Sequence, residues 1–297
     1  MSYTESSYTT QITQIAMQTI RSIRKMQTTS RQLAAKKKKI GLVPTMGYLH
    51  EGHLSLIRKA KIHSDVVVVS IFVNPTQFGP REDFAKYPRD EKGDLKKIKS
   101  AGGDIVFVPD VKQIYPPGFS TRVSVERLTT TLEGKSRPGH FTGVTTIVAK
   151  LFNIVRPDVV VFGMKDFQQS VVLRKMTEDL NYPIKFIVAP TVREEDGLAM
   201  SSRNKYFNEI QRWEAVCLYY ALRSAKEMVK SGVSDTRVIA KEMRLVMKAT
   251  CPTAEIDYIA FNDLKSFEPR REIVKDTVCS LAVKIHGVRL IDNMKLK

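Results

Sequence analysis

The sequence predicts an α/β fold, a doubly wound parallel sheet followed by a smaller α+β domain. Three observations carry that prediction. Five short runs rich in Val, Ile and Phe recur between residues 40 and 188. Each is a continuous apolar cluster, as a strand covered on both faces must be. Helical patterns lie between successive runs, and parallel strands need such crossovers. Beyond about residue 205 the order changes to two helices and then further strand-like runs.

Taken in order, residues 1–16 are rich in Ser, Thr and Gln, with Glu5 as their one acidic residue and no basic residue. They lack the charged-then-apolar order of a secretory signal and the arginines of an organelle-targeting peptide, and read as a flexible or loosely docked extension. Ile15, Ile20, Ile23 and Met26, with basic residues between them, form a helical pattern that leads into a first strand at 40–43. Further strands are expected at 66–73, 104–108, 159–162 and 184–188, and helices at 54–63, 92–100, 144–155 and 168–180. This alternation is Rossmann-like and assigns residues 17–191 to the first domain. The boundary falls near 191, leaving 192–297 as the smaller domain. There, Asn208-Glu209-Ile210-Gln211 has the pattern of a capping box opening a long helix to Ser231. A second helix at 235–250 and strands at 255–262 and 277–286 complete the reading.

A chain of 297 residues has a soft prior of about two domains. At 42% hydrophobic residues it can bury a core without covalent staples. Cys217, Cys251 and Cys279 are scattered, odd in number and never in a C-x-x-C pair. That argues against a disulfide framework or a thiolate metal site and fits a reducing, cytoplasmic setting. No run approaches the roughly 18 apolar residues of a membrane span. The formal charge of +17 fits either nucleic-acid binding or a solvated basic surface that attracts anionic nucleotides. Lys36 to Lys39 form the only tight basic run and no aromatic stacking motif accompanies it, which favours the second reading.

Doubly wound sheets bind ligands beyond the carboxyl ends of their strands, so chemistry is expected just after each strand. After 40–43 comes Pro44-Thr45-Met46-Gly47-Tyr48-Leu49-His50-Glu51-Gly52-His53. Two imidazoles on the first turn of a helix, beside free N–H groups and the positive end of the dipole, suit a polyphosphate. A structural histidine pair is the alternative. Gly47 is expected to allow a tight turn and Gly52 a close ligand approach. Histidines at i, i+3 do not match the i, i+4 zincin spacing, and no cysteine lies near enough to complete a zinc set.

The other strand ends are equally polar. Asn74-Pro75-Thr76-Gln77 follows the second strand, and Gly163-Met164-Lys165-Asp166-Phe167-Gln168-Gln169 follows the fourth. Lys165 is either an ordinary solvated lysine or the counter-charge of a triphosphate. Asp166 could accept from a ribose hydroxyl or help to hold Mg²⁺. Gln168 and Gln169 suit a small hydroxylated substrate, or simply the polar start of a helix. After Pro190 come Glu194-Glu195-Asp196-Gly197 and then Met200-Ser201-Ser202-Arg203, whose hydroxyls and guanidinium suit a pyrophosphate. No Walker A, G-x-G-x-x-G or G-x-S-x-G motif occurs, which counts against P-loop kinases, dehydrogenases and hydrolases.

Two histidines spaced H-x-G-H at the first strand end, with a later Met-Ser-Ser-Arg segment, resemble the HIGH and KMSKS motifs of the nucleotidyltransferase superfamily. More specifically PTMGYLHEGH, FVNPTQF, RPGHFTGV, FGMKDFQQ and MSSRN, in this order, resemble the pantoate–β-alanine ligase family from about residue 17 to the C-terminus. The resemblance implies ATP-dependent condensation of pantoate with β-alanine through a pantoyl adenylate, releasing AMP and pyrophosphate. It implies His50, His53 and Lys165 at the α-phosphoryl transition state, with Asn74 near the reacting centre. It places ATP on Met46, His53, Gly163, Lys165, Asp166, Val192, Met200, Ser201, Ser202 and Arg203. Pro44, Met46, Gln77 and Gln169 would line the pantoate pocket, and Tyr87, Arg137 and His140 lie on motif-bearing loops assigned to the substrates. Mg²⁺ would bind mainly through ATP phosphates, with Asp166 or Asp94 as carboxylate ligands, and the chain would form a cytoplasmic homodimer.

The alternatives are another nucleotidyltransferase, such as a tRNA-charging or cytidylyl-transferring enzyme, and a basic nucleic-acid-binding protein with a degenerate nucleotide fold. Gln77 and Gln169 argue against the first. Tyr48 stands where the family more often has a small residue, Phe167 where Tyr is common, and residues 1–16 exceed the usual start. None of these departures removes a reacting group.

Overall fold

The computed structural model describes residues 17–80 and 82–297, so the expected extension at 1–16 lies outside the described residues, as does Ile15. The main sheet has six strands, β1 (Gln18–Ile20), β2 (Ile40–Thr45), β3 (Val66–Ile71), β4 (Ile105–Phe107), β5 (Val159–Gly163) and β6 (Lys185–Ala189). Between them run α1 (Ile23–Ala35), α2 (Glu51–His63), α3 (Glu91–Ser100), the single turns α4 (Val111–Ile114) and α5 (Glu133–Ser136), then α6 (His140–Val155) and α7 (Phe167–Asp179). The spatial order is β1-β4-β3-β2-β5-β6, and every pairing is parallel. The chain therefore moves outward from β2 to β4 and returns to β5, which lies directly against β2.

The continuous apolar runs are explained by burial on both faces. Val66 and Val68 project into one core, with Met26 of α1, Phe152 of α6 and Leu173 of α7. Val67 and Val69 project into the other, with Ile57 of α2 and Ile98 of α3. A one-residue slip would exchange these two sets, so packing fixes the register.

The smaller unit holds α8 (Glu209–Glu214), α9 (Cys217–Lys230), α10 (Thr236–Thr250) and an antiparallel sheet β7 (Glu255–Asp263), β8 (Thr277–Ile285), β9 (Val288–Lys295). Leu222, Met243 and Met247 cover Leu281 and Val283 in its core. The Asn208/Gln211 capping box is present.

Three expectations change. In the described part of the helical pattern that ends at Met26, helix begins only at Ile23. Ile20, the one buried residue of a three-residue edge strand, ends that strand beside β4, and Ser22 caps α1 by accepting the Lys25 N–H. The long helix from 208 tightens at Ala215–Val216 into i→i+3 bonds and restarts as α9, because Ala215, Val216 and Leu218 all turn into the core. The small sheet also gains a third strand, β9, beyond the two that the sequence pattern predicts.

One close approach sets the site's geometry. Gly143 of α6 lies against the backbone of the 3₁₀ turn Pro75–Gln77, where a Cβ would sit 2.4 Å from the Thr76 carbonyl oxygen and 2.7 Å from the Gln77 nitrogen. The Gly143 carbonyl also accepts from Asn74 Nδ2 at 3.1 Å. Gly143→Ala is expected to destabilise the fold by about 1–3 kcal/mol, the usual cost of overpacking. Urea unfolding should show this as a lower midpoint at constant slope; an unchanged midpoint would mean that the turn moves aside freely.

Candidate active site

The β2–β5 pairing is the topological switch point of the sheet, and the turn after β2 is built to hold a fixed shape. Gly47 has φ +82°, and Tyr48 follows at φ +52°, in the left-handed region that non-glycine residues seldom occupy. The Tyr48 and Leu49 N–H groups both donate to the Asp94 carboxylate at 2.7 Å, while Lys97 Nζ donates to the Leu49 carbonyl at 2.8 Å. Asp94, expected as one of two possible metal ligands, is thus a buried brace behind the turn. Its oxygens are taken by backbone donors and it does not line the cleft.

His50 is the N-cap of α2 and His53 its third residue, with ring centroids 4.1 Å apart. The His50 N–H donates to His53 Nδ1 at 3.3 Å, so a neutral His53 carries its proton on Nε2. Burial, then the nearby His50, Lys165 and Lys97, holds His53 well below the usual histidine range. Burial and the Lys165 charge lower His50 to about 4, against the opposing fields of Asp166 and Glu194. Both rings are neutral N–H donors at neutral pH. Gly52 lines the cleft, and it has a second role: a Cβ there would meet the His50 ring at 2.9 Å, so glycine also makes room for that imidazole.

These rings open into a cleft of about 240 Å³. The strand ends β2, β3, β5 and β6 contribute Pro44, Met46, Asn74, Gln77, Gly163, Lys165, Asp166 and Val192 to it. Tyr87, Arg137, His140, Gln169, Met200, Ser201, Ser202 and Arg203 complete the lining, so of the anticipated site residues Asp94 and Gln168 alone do not meet here. Asn74 is buried and fully engaged. Its Nδ2 donates to Gln77 Oε1 at 3.0 Å, and its Oδ1 accepts from Tyr115 at 2.8 Å. Gln77 Nε2 in turn reaches Met46 Sδ.

Gln168 does not join them. Its amide is buried between the Leu128 and Thr131 carbonyls and the Glu133 N–H, so the substrate role considered for it gives way to a structural one. The His140 Nδ1–H donates to the Gln77 carbonyl at 2.9 Å and its Nε2 accepts from Arg137, which fixes it as a neutral, positioned ring. Burial first, then the Arg137 charge, lowers its pKa to about 4.

Sequence reading missed two parts of the site. Val144, Ile147, Val148 and Leu151 of α6, with Phe72 and Phe162, form an apolar floor. Helical periodicity marks the α6 residues as core, and they are both core and floor. The second part is the acidic pair Glu82-Asp83. Glu82 takes the Arg137 guanidinium in two bonds of 2.6 Å, and Asp83 takes Arg203 at 2.8 and 3.0 Å. Adjacent acidic residues between two motif-bearing segments were the available signal. Tyr48 accounts for its own departure, since Lys205 lies over its ring at 3.9 Å and donates to its hydroxyl, tying the first turn to the segment after Ser202. Among the described residues no group of three or more His, Cys, Asp or Glu is arranged to hold a metal; Asp166 is the carboxylate lining the cleft. No helix among them is long and apolar enough to cross a membrane.

Comparison with known proteins gives a consistent picture. The family model described as pantoate-beta-alanine ligase matches residues 18–295. The pantothenate synthetase of Moorella thermoacetica is 50% identical over 281 residues, spanning 95% of this chain and 98% of that protein. The crystal structure of pantothenate synthetase from Thermus thermophilus superposes with a TM-score of 0.89 at 42% identity, covering 94% of this chain and 99% of the other. That of the Francisella tularensis pantoate-beta-alanine ligase, complexed with beta-gamma ATP and beta-alanine, does so at 0.80 and 37% identity, covering 95% and 98%.

The depressed histidines make a direct prediction. In the free protein, NMR titration of the imidazoles should show His50 and His140 unprotonated from pH 8 down to about pH 5, with midpoints near 4. Because an unfolded histidine binds its proton near pH 6.5, stability should fall as pH drops from 6.5 towards 4. A His50 midpoint near 6.5 would show that the ring is solvated and the site is arranged differently.

Proposed function

The chain belongs to the pantoate–β-alanine ligase family and joins pantoate to β-alanine in pantothenate biosynthesis; we propose that it does so in two steps, with ATP as co-substrate. In the first, a pantoate carboxylate oxygen attacks the α-phosphorus of ATP, and the bond to the β-phosphate oxygen breaks to release pyrophosphate. In the second, the β-alanine amine attacks the acyl carbon of pantoyl adenylate. AMP leaves, the amine loses a proton, and the amide of pantothenate forms.

The observation that carries this reading is the meeting of two neutral imidazole donors, one ammonium, the Ser-Ser-Arg segment, Gln77 and Gln169 in a single cleft. His50, His53 and Lys165 address the α-phosphoryl group as negative charge is redistributed, which is catalysis by positioning and electrostatic stabilisation. Lys165 makes no ion pair among the described residues, so its charge is available to a phosphate. Ser201, Ser202 and Arg203 take the β- and γ-phosphates, with Arg203 exchanging Asp83 for phosphate oxygens. Gly163 and Asp166 hold the ribose beside Met46, Val192 and Met200. Gln77 and Gln169 bind pantoate over the apolar floor of α6, and Asn74 keeps Gln77 oriented.

Mg²⁺ fits this donor set in its usual phosphate-bound mode, held by ATP oxygens with at most the Asp166 carboxylate from the protein. Bound there, it would neutralise phosphate charge. The same reading expects a homodimer in the cytoplasm; three buried free thiols suit a reducing compartment.

Pantoate-dependent exchange of labelled pyrophosphate into ATP, run without β-alanine, tests the adenylate. Exchange is expected, and its absence in a folded, ATP-binding sample would overturn the two-step scheme. Lys165→Ala and His50→Ala should each lower turnover by at least about a hundredfold, the scale of losing one transition-state donor. Near-wild-type rates in either would reassign that residue.

A further inference from the structure

The turn that carries Lys165 is held from outside its own domain. Met164–Asp166 is a single 3₁₀ turn between β5 and α7, too short for an internal ladder to fix. Its Met164 and Lys165 carbonyls both accept from one group, Nδ2 of Asn293, at 2.8 and 2.9 Å. Asn293 lies in β9 of the small sheet, opposite Ser280 of β8.

Asn293 is itself immobilised. The Arg193 guanidinium grips both oxygens of neighbouring Asp292, at 2.6 and 3.0 Å, and also donates to the Asn293 carbonyl at 3.1 Å. The Asn293 N–H donates to Asp292 Oδ1 at 2.7 Å. Asp292 and Asn293 are consecutive buried polar residues in a strand, where asparagine and aspartate are disfavoured and burial is costly unless every group is paired. A local rule broken in this way, with the Asn293 amide spent on one turn and its neighbours spent on holding Asn293, marks a position kept for something other than strand stability.

We infer that Asn293 is a positioning residue for the ligation, setting the Met164–Lys165 backbone so that the Lys165 ammonium points at the α-phosphate. Asn293 lines not the main cleft but a small cavity beside it, shared with Lys165 and Asp166, and its amide is spent on the two turn carbonyls, so it acts through the turn rather than on substrate. The inference rests on the role proposed for Lys165. It makes the small domain a working part of the lysine's geometry, relayed from Arg193 through Asp292 and Asn293.

A double-mutant cycle on the full chain, read as kcat for pantothenate formation, tests this. Asn293→Ala should lower kcat about 10- to 100-fold, the scale of a misplaced reacting group. In a Lys165→Ala background the same substitution should cost nothing further, within about twofold, because residues acting as one unit are not additive. If Asn293→Ala does not fold, Asn293→Ser keeps a single donor and takes its place, with a smaller loss expected in the wild type and again none beside Lys165→Ala. Equal losses in both backgrounds, or an unimpaired Asn293 variant beside an impaired Lys165→Ala, would overturn the inference alone. A wild-type rate for Lys165→Ala would overturn the lysine's role and the inference with it.

Discussion

The parallel pairing of β2 with β5 is the constraint on which the site depends. Gly41 faces Val159 and Leu42 faces Val160, so the carboxyl ends of the two strands emerge side by side. Before β5 the chain has run outward through β3 and β4, and after it runs the other way to β6. Loops leaving adjacent strands in opposite directions open a crevice between them. One wall carries the histidine turn, the other Lys165. Asn74 and Gln77 come from the end of β3, beside β2, and Val192 follows β6, beside β5.

Pairing brings the loops together, but it does not fix their shape, because a turn beyond the last ladder bond has no internal partner for its backbone groups. Each turn therefore borrows a brace from a neighbouring element. Asp94 and Lys97 of α3 hold the positive-φ turn after β2. The Gly143 carbonyl of α6 anchors Asn74 after β3. Asn293 of β9 holds the turn after β5. The 128–137 loop is tied to the small domain in the same way, since buried Glu133 accepts from Tyr258 at 2.8 Å and from Arg289 at 2.7 Å. The polar groups of the cleft sit on short turns, and rigidity is imported from secondary structure behind them.

This division explains what could be read from the sequence. Strands buried on both faces announce themselves by composition, so β2 to β5 were placed to within a residue or two, and the half-buried edge strand β6 by its Phe-Ile-Val run. The motif residues were legible because their chemistry is local, as in His50 and His53 at a helix start or Ser201 and Ser202 before Arg203. What escaped was everything set by partners distant in sequence. β1 is a three-residue edge strand with one buried side chain, indistinguishable from the start of the helix that follows. Asp94 is an ordinary helix residue until the β2 turn folds onto it, and Gln168 is a neighbour of Gln169 whose side chain turns the opposite way. Asp292 and Asn293 interrupt the apolar pattern of β9, which concealed the strand and, for the same physical reason, pointed to its task.

The electrostatics of the cleft run against the composition of the chain. A charge of +17 suggests a site that gathers anions by sheer positive field. Yet His50 and His53 are neutral at physiological pH, and Arg137 and Arg203 are each masked by a carboxylate from Glu82 or Asp83. In the proposed reaction this restraint has a purpose. A cleft of bare cations would bind ATP and pyrophosphate as tightly as the transition state between them, and uniform binding of that kind lowers KM without raising kcat. Neutral imidazole donors held by Gly52, by the His50 N–H and by burial are oriented before substrate arrives, and contribute direction rather than net charge. The mobile part of the positive charge is then left to Lys165, whose turn is fixed at both carbonyls, and to Arg203, which has an exchange partner already in place.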